Sequence, residues 1–207
     1  MPARPHRVLL PREEIAARVE ALAGEIAAAW AQKDGDPEVT LVPVMTGAFV
    51  FAADLIRHLP RPMRVHPVRA RSYPGAATTS QGVTLDPAGA DVPADLAGRH
   101  VLVVDDILDS GRTLAALRAD LLGRGAACVS TCVLLRKPGA CRDAAAGEGG
   151  RDADFVAFDV PDAFVVGYGL DHDGRFRNLP DVEVLDAGGG ARAAAADARV
   201  PAAGGAE

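Results

Sequence analysis

The stretch Arg99-His-Val-Leu-Val-Val-Asp-Asp-Ile-Leu-Asp-Ser-Gly-Arg-Thr-Leu114 decides the fold class of this chain. It contains Val101 to Val104, an unbroken apolar run of the kind that forms a strand buried on both faces of a parallel sheet. A helical pattern follows over Leu114 to Leu122 and stops near Gly123. The polar loop between them therefore joins a strand's carboxyl end to a helix's amino end, which is where open α/β sheets bind ligands.

This loop offers two kinds of ligand chemistry side by side. Its first half carries three carboxylates, Asp105, Asp106 and Asp109, which suit sugar hydroxyls or Mg²⁺. Its second half, Ser110 to Thr113, combines a glycine, two hydroxyls and the free N–H groups of a helix start, which attract phosphate. A phosphorylated sugar bound together with a metal ion needs both.

The loop resembles the phosphoribosyl-diphosphate binding motif of type I phosphoribosyltransferases, in which two acids and two apolar residues precede Asp-Ser/Thr-Gly-x-Thr. The resemblance implies that Asp105 and Asp106 face the ribose 2′- and 3′-hydroxyls. It implies that Asp109 is the catalytic residue and lies near N7 of an incoming purine. It also implies that the 5′-phosphate is held by the end of the motif, through Ser110, Gly111, Arg112 and Thr113.

Two other interpretations of the loop compete with this one. The first is an ordinary strand-loop-helix unit whose acids are solvated. The second is a phosphoacceptor receiver domain, with Asp159 as the acceptor. A receiver needs a lysine beyond the acceptor, yet the two lysines of the chain, Lys33 and Lys137, both precede Asp159. About a hundred residues also precede the acid pair, whereas a receiver begins near it.

Composition sets broad limits on the kind of protein. The chain has 207 residues, 49% of them hydrophobic, which is enough for one α/β domain with a core. The net charge of −6 and the scattered arginines argue against nucleic acid as a partner. No apolar run is long enough for a membrane span, and no secretory segment opens the chain. The cysteines, Cys128, Cys132 and Cys141, form no pairwise framework, so we expect free buried thiols and a cytoplasmic protein.

The remaining patterns predict alternating strands and helices, and hence a mostly parallel twisted sheet with helices on both faces. The helices are expected over 11–30, 48–57 and 114–122, and the strands over 39–45, 63–71, 101–104, 129–135, 155–158 and 164–167. We expect a single domain over 1–186, to which the family resemblance adds a small hood. The polar segment 72–96 is expected to be a flexible lid, and 187–207 a disordered tail.

Two further segments resemble the hypoxanthine-type branch of the family. Thr46-Gly47 lies between a strand and a helix, where relatives bind pyrophosphate, although a plain turn would look similar. Many relatives carry lysine or asparagine where this chain has Thr46, so backbone N–H groups and the hydroxyl are the donors left there. Ser72-Tyr73 matches the start of the lid that closes over the reacting centre in that branch.

The segment Phe164 to Pro180 resembles the purine-facing strand and turn of the same branch. The resemblance implies that Phe164 stacks on the base, that the Val165 backbone bonds the ring edge, and that Arg177 contacts pyrophosphate. Asp171 would hold Mg²⁺, together with Asp105 and Asp106. Lys137, at another strand end, would donate to the 6-oxo group. Each residue also has a simpler interpretation when it is taken alone. Phe164 could be a core residue, Asp171 and Arg177 a surface ion pair, and Lys137 a solvated surface lysine.

Together these resemblances imply an enzyme of purine salvage that depends on Mg²⁺. It would transfer the 5-phosphoribosyl group from phosphoribosyl diphosphate to hypoxanthine and/or guanine, giving IMP or GMP and pyrophosphate. Relatives are dimers or tetramers, so a homo-oligomer is expected. The alternatives are a sibling that prefers xanthine and a non-catalytic regulator that senses the sugar diphosphate. The joint presence of Asp109, Lys137 and Asp171 favours the enzyme.

Overall fold

The computed structural model describes residues 6–32, 38–72, 83–85, 92–140, 152–185 and 198–201. The helices are α1 (Arg12–Ala31), α2 (Phe49–His58) and α3 (Arg112–Gly123). The strands are β1 (His6–Leu10), β2 (Val39–Met45), β3 (Met63–Val65), β4 (Val68–Ser72), β5 (Val83–Leu85), β6 (His100–Leu108), β7 (Cys128–Arg136), β8 (Phe155–Asp159), β9 (Val165–Val166) and β10 (Val182–Leu185).

The main sheet is doubly wound and almost entirely parallel. Its strands run in the order β5-β4-β2-β6-β7-β8, and β3 pairs with the beginning of β2. Strand β5 is the exception, because it pairs antiparallel with β4. The carboxyl ends of β2, β6, β7 and β8 consequently lie along one edge of the sheet, where the functional residues predicted from the sequence follow each strand.

Alternation of side chains along the strands divides the core between the two faces of the sheet. Leu102 and Val104 face the cluster that contains α1 and α2, whereas Val101 and Val103 face the cluster that contains α3. Since β6 is buried on both sides, its residues must be apolar throughout, as the run Val101 to Val104 predicts. The predicted fold class is thereby confirmed.

A second, three-stranded antiparallel sheet stands apart from the main one, in the order β1-β10-β9. We refer to it as the hood. It joins the first strand of the chain to the last, because His6 pairs with Leu185 and Val8 with Glu183. Its buried residues Leu10, Val165 and Val182 belong to the cluster on the α1 and α2 face. The hood therefore packs on the same face as these helices.

The structure corrects several predicted bounds. Strand β6 continues to Leu108, because pairing with β7 extends past the acid pair to Ile107 and Leu108. The strand predicted over 63–71 is divided into β3 and β4, since Pro67 between them has no N–H for a ladder. Cys128 is half-buried rather than buried, whereas Cys132 is a buried free thiol. No described helix is long and apolar enough to span a membrane.

Two segments expected to lack regular structure contain paired residues. Within 72–96, β5 pairs with β4, so the predicted lid includes a strand of a hairpin. Leu96, at the end of that range, is completely buried and donates its N–H to Arg124 O at 2.9 Å, so it belongs to the core. Within 187–207, Arg199 exchanges two backbone hydrogen bonds of 2.7 and 2.8 Å with Asp159. The disordered tail thus does not extend over 198–201.

Candidate active site

The loop after β2 and the acid pair on β6 are in direct contact. A Cβ added to Gly47 would collide with the carboxylate of Asp106, so only glycine fits beside that side chain. The preceding residue, Thr46, is exposed, follows a cis peptide bond, and its carbonyl accepts a hydrogen bond of 3.3 Å from Phe49 N. The predicted pyrophosphate loop and the predicted ribose-binding acids therefore share one site.

The acid pair consists of a buried and a half-buried carboxyl group whose pKa values are both raised. Asp105 is 7% exposed, and its Oδ1 accepts a hydrogen bond of 2.9 Å from Asp106 N. Burial raises the pKa of Asp105 well above its ordinary value, and the neighbouring Asp106 charge raises it further. Burial also raises the pKa of Asp106, although the hydrogen bond with Asp105 and the charge of Arg177 oppose this. A cationic or hydroxyl-bearing ligand would relieve the cost of burying these two carboxylates.

The predicted phosphate loop begins α3 at the same sheet edge. Gly111 caps the helix with a φ of +74°, a left-handed conformation that favours glycine. Ser110 Oγ accepts a hydrogen bond of 3.5 Å from Arg112 N. Asp109 is exposed, and within the described residues no hydrogen bond or ion pair holds its carboxylate. The loop thus presents Asp109 and Ser110 to solvent at the start of a helix, where N–H groups favour an anion.

A tight turn after β9 places Arg177 beside this site. Arg177 Nη1 donates to Gly169 O at 2.6 Å, and Nη2 lies 2.5 Å from Asp171 Oδ1. Gly169 in turn is packed against the predicted pyrophosphate loop, since a Cβ added to it would collide with Gly47 O. The second oxygen of Asp171 accepts a hydrogen bond of 2.8 Å from Gly174 N. The guanidinium therefore lies near the acid pair and is already paired with the predicted metal ligand.

Lys137 lies on the other side of the acid pair, at the end of β7. Its backbone N–H donates to Leu108 O at 3.0 Å, which places it beside the loop that carries Asp109. Its ammonium nitrogen lies 3.3 Å from Asp162 Oδ1. The Lys137 side chain is 20% exposed and that of Asp162 is 80% exposed, so the ion pair lies at the surface of the site.

Phe164 and Val165 follow the next strand end and differ sharply in exposure. Phe164 is 51% exposed, which rejects the core interpretation of this residue. Its ring meets that of His172 edge to face, with centroids 5.1 Å apart and planes at 80°. Val165 is 6% exposed and pairs with Val184 in the hood. An exposed aromatic face next to a strand edge suits a flat heterocycle.

Four residues that contribute to this geometry were not predicted: Asp54, Asp162, Tyr168 and Gly169. The repeated glycines around Tyr168 in Gly167-Tyr-Gly169 were the signal available for the turn. Asp54 lies on α2, where an acid resembles any solvated helix residue. Of the predicted lid pair, Ser72 ends β4 and pairs with Val83, and Tyr73 lies outside the described residues.

Comparison with known proteins agrees with this geometry. Residues 9–173 match the family described as "Phosphoribosyl transferase domain". The hypoxanthine-guanine phosphoribosyltransferase of Mycobacterium avium is 40% identical over 181 residues, which cover 86% of this chain and 85% of that protein. The hypoxanthine phosphoribosyltransferase of Salmonella typhimurium is 38% identical over 175 residues, covering 84% and 92%.

Solved structures show the same similarity in three dimensions. A hypoxanthine-guanine phosphoribosyltransferase from Bacillus anthracis, with HEPES in its active site, superposes at a TM-score of 0.74 and 33% identity. The match covers 86% of this chain and 97% of that one. On the sequence, the sheet and the site together, this chain belongs to the phosphoribosyltransferases, in the hypoxanthine(-guanine) branch of that family.

Proposed function

We propose that this chain transfers the 5-phosphoribosyl group from phosphoribosyl diphosphate to hypoxanthine and/or guanine. The bond from ribose C1′ to the pyrophosphate oxygen breaks, a bond from C1′ to purine N9 forms, and the purine loses a proton. The products are IMP or GMP and pyrophosphate. The observation that carries the proposal is the contact of the Thr46-Gly47 loop with Asp106, because it joins an anion loop to a pair of sugar-binding acids.

The donor would lie along the sheet edge between β2 and α3. Asp105 and Asp106 would accept hydrogen bonds from the ribose hydroxyls, and the helix start from Ser110 to Thr113 would hold the 5′-phosphate. The pyrophosphate would lie between the Thr46-Gly47 loop and Arg177, whose planar donor fork suits phosphate oxygens. Negative charge grows on the departing pyrophosphate, so donors placed there in advance lower the barrier.

The purine would bind beyond the acid pair, against Phe164. Stacking on the exposed ring would orient the base, and the backbone of Val165 would bond its edge. Lys137 would donate to the 6-oxo group after exchanging its ion pair with Asp162 for the ligand. A 6-amino group is a donor and would leave the ammonium without an acceptor, which disfavours adenine.

Asp109 is the residue we assign to proton transfer. Its carboxylate is exposed between the acid pair and the phosphate loop, and so is accessible to a bound base. As N9 attacks C1′, positive charge builds on the purine, and Asp109 would take or stabilise the N7 proton. Positioned acids and bases of this type contribute about 10²–10⁴-fold to rate.

The residues at the site fit Mg²⁺ as a cofactor. Among the described residues no three His, Cys, Asp or Glu side chains converge on one metal position. Mg²⁺ often binds through only one or two carboxylates, with water and substrate phosphate oxygens completing its shell. The buried Asp105 and the half-buried Asp106 and Asp171 provide carboxylates of this kind. When bound with the donor, the ion would neutralise charge on the diphosphate.

Three further features belong to the proposal. Ser72 and Tyr73 would form part of a lid that covers the reacting centre and excludes water. The protein would act in a reducing cytoplasm, which the buried free thiol of Cys132 supports. A homo-oligomer is the expected assembly, and sedimentation at several concentrations would test it.

The test is pyrophosphate release from phosphoribosyl diphosphate and Mg²⁺ with each base separately. Hypoxanthine or guanine should support release and adenine should not. A clear preference for xanthine would shift the assignment to the sibling enzyme, and donor binding without release would indicate the regulator. Asp109→Asn should keep donor affinity and lose about 10²–10⁴-fold in kcat. A variant within twofold of the parent would remove Asp109 from the mechanism.

A further inference from the structure

A partly buried hydrogen bond joins α2 to the turn that carries Arg177. Tyr168 Oη donates to Asp54 Oδ2 at 2.6 Å, between residues 114 positions apart in the chain. Tyr168 is 8% exposed, so the bond is shielded from water on the tyrosine side. The other oxygen of Asp54 pairs with Arg57 one helical turn later. The bond is thus a specific tertiary link to a carboxylate that also has a partner within its own helix.

Both ends of this link lie next to the pyrophosphate end of the site. Helix α2 begins immediately after the Thr46-Gly47 loop, and Asp54 lies on its second turn. On the other side, Tyr168 immediately precedes Gly169, whose backbone packs closely on the loop. A Cβ added to Gly169 would lie 2.4 Å from Gly47 O and 3.6 Å from Val50 Cβ. The hydrogen bond between Asp54 and Tyr168 therefore connects α2, which follows the Thr46-Gly47 loop, to the turn that packs on the same loop.

The turn needs an external restraint of this kind. Tyr168 has a φ of +49°, a left-handed conformation that is uncommon for a side chain with a Cβ. Its backbone N–H is bonded to Leu179 O at 2.8 Å, but that bond lies within the same segment. Residues in sparsely populated conformations persist when the surrounding structure holds them. Here the Asp54 carboxylate provides a hydrogen bond to Tyr168 from outside the segment.

Arg177 depends on the placement of this turn. Its Nη1 donates to the carbonyl of Gly169, and the Gly169 N–H donates to Arg177 O at 3.0 Å. Arg177 is thus bonded on both its side chain and its backbone to the residue after Tyr168. A displacement of Tyr168 would carry Gly169 and the guanidinium with it.

We infer that Asp54 and Tyr168 are positioning residues that hold the turn bonded to the Arg177 guanidinium against the Thr46-Gly47 loop, and so set the affinity of the site for pyrophosphate. The inference rests on the proposed function for the name of that ligand. Neither residue touches the substrates. Burial and the Asp54 carboxylate raise the pKa of Tyr168, so the phenol remains a hydrogen-bond donor at working pH.

The first test is Tyr168→Phe, which removes one oxygen and leaves Asp54 paired with Arg57. We expect KM for phosphoribosyl diphosphate, and for pyrophosphate in the reverse direction, to rise about 10–100-fold, the scale of one hydrogen bond to a charged acceptor. KM for hypoxanthine should stay within twofold. Asp54→Asn keeps an oxygen that can accept the hydrogen bond from Tyr168, so its KM values should stay close to those of the parent. Asp54→Ala removes the acceptor, so its KM values should rise as much as those of Tyr168→Phe.

A matched control removes a hydroxyl with partly buried hydrogen bonds elsewhere on the sheet. Thr131, on the early part of β7, is 3% exposed. Its hydroxyl donates to Asp154 Oδ2 at 3.0 Å and accepts from Asp154 N at 3.1 Å. Thr131→Val should lower the melting temperature and leave every KM unchanged. If Tyr168→Phe behaves in the same way, or raises KM for the base as much as for the donor, the inference is wrong.

Binding measurements separate this inference from the proposed function. If the parent releases no pyrophosphate with any base, the proposed function fails, and calorimetric titration with pyrophosphate and Mg²⁺ still reports on the link. Weaker pyrophosphate binding by Tyr168→Phe and Asp54→Ala, with recovery in Asp54→Asn, would support it. Equal affinity in parent and variants would overturn it.

Discussion

The backbone of Gly47 lies directly against the carboxylate of Asp106, leaving no room for a Cβ between them. Gly47 follows the end of β2, and Asp106 lies near the end of the neighbouring parallel strand β6. The ladder between the two strands runs from Val39 paired with His100 to Pro43 paired with Val104. Beyond that last pair, β2 continues to Met45 alongside β4, whereas β6 continues to Leu108 alongside β7. The Gly47–Asp106 contact is where the predicted anion loop and the predicted sugar-binding acids become one site.

Gly47→Ala tests this contact. The added methyl would displace either the loop or the Asp106 carboxylate, and a misplacement of about 1 Å can cost about 10²-fold in rate. We expect kcat/KM for phosphoribosyl diphosphate to fall on that scale in steady-state assays. Gly24 lies in α1 with nothing within 4 Å of an added Cβ, so Gly24→Ala is the matched control. It should stabilise the helix by about 0.5–1 kcal/mol and leave kinetics unchanged.

Asp105→Asn should make the protein more stable and inactive. The asparagine keeps an oxygen that can accept from Asp106 N and removes a buried charge. Because the folded-state pKa of Asp105 is raised, ionisation destabilises the parent as pH rises from about 4 through that pKa. The gain in melting temperature should therefore be smaller at pH 5 than at pH 8. Each 1 kcal/mol corresponds to about 2–4 °C in a chain of this size.

Calorimetric melting of both proteins at several pH values measures this effect. A gain that shrinks as the pH rises would contradict the assignment of Asp105 as a buried carboxylate with a raised pKa. The same variant should bind phosphoribosyl diphosphate more weakly, which is the trade-off expected where a functional site carries a buried charge.

Lys137→Gln should lower kcat/KM for the purine base and leave the affinity for phosphoribosyl diphosphate unchanged. A charged donor to the 6-oxo group is worth about 1.5–3 kcal/mol, so kcat/KM for hypoxanthine should fall about 10–100-fold while donor affinity is kept. Asp162→Asn is the companion variant. Its ion pair with Lys137 is solvent-exposed and worth at most about 1 kcal/mol, so it should change kcat/KM by no more than about fivefold. Efficient use of adenine by the parent would argue against this role of Lys137.

Deletion of 187–207 should lower the melting temperature. The segment 198–201 exchanges two backbone hydrogen bonds with Asp159 on β8, the last strand of the main sheet, and Ala198 packs on the core. Two such bonds are worth about 1–3 kcal/mol together, or several degrees. Arg199→Pro removes the N–H that bonds Asp159 O and should reproduce part of the loss. Arg199→Ala keeps the backbone pair and should melt with the parent.

Local pattern was sufficient for much of this architecture. Strand β2 has the bounds predicted from its apolar run, and α1, α2 and β8 agree within one residue at each end. Strand ends and helix starts are determined by neighbouring residues, through side-chain period, hydrogen-bonding N–H groups and breakers such as Pro67. The motif from Asp105 to Thr113 was recognisable for the same reason, since its chemistry is contained in consecutive residues.

The contacts between residues far apart in the chain were decided by the tertiary structure alone. The hood pairs His6 with Leu185, and the Asp54–Tyr168 bond spans 114 residues. The segment 198–201, which the composition of the tail predicted to be disordered, found hydrogen-bond partners on the edge of β8. Such contacts depend on which surfaces meet after the sheet has formed. An unpaired strand edge or a buried hydroxyl forms hydrogen bonds with whichever group the packing places next to it. These long-range partners cannot be predicted from the local periodicity or residue spacing of the sequence.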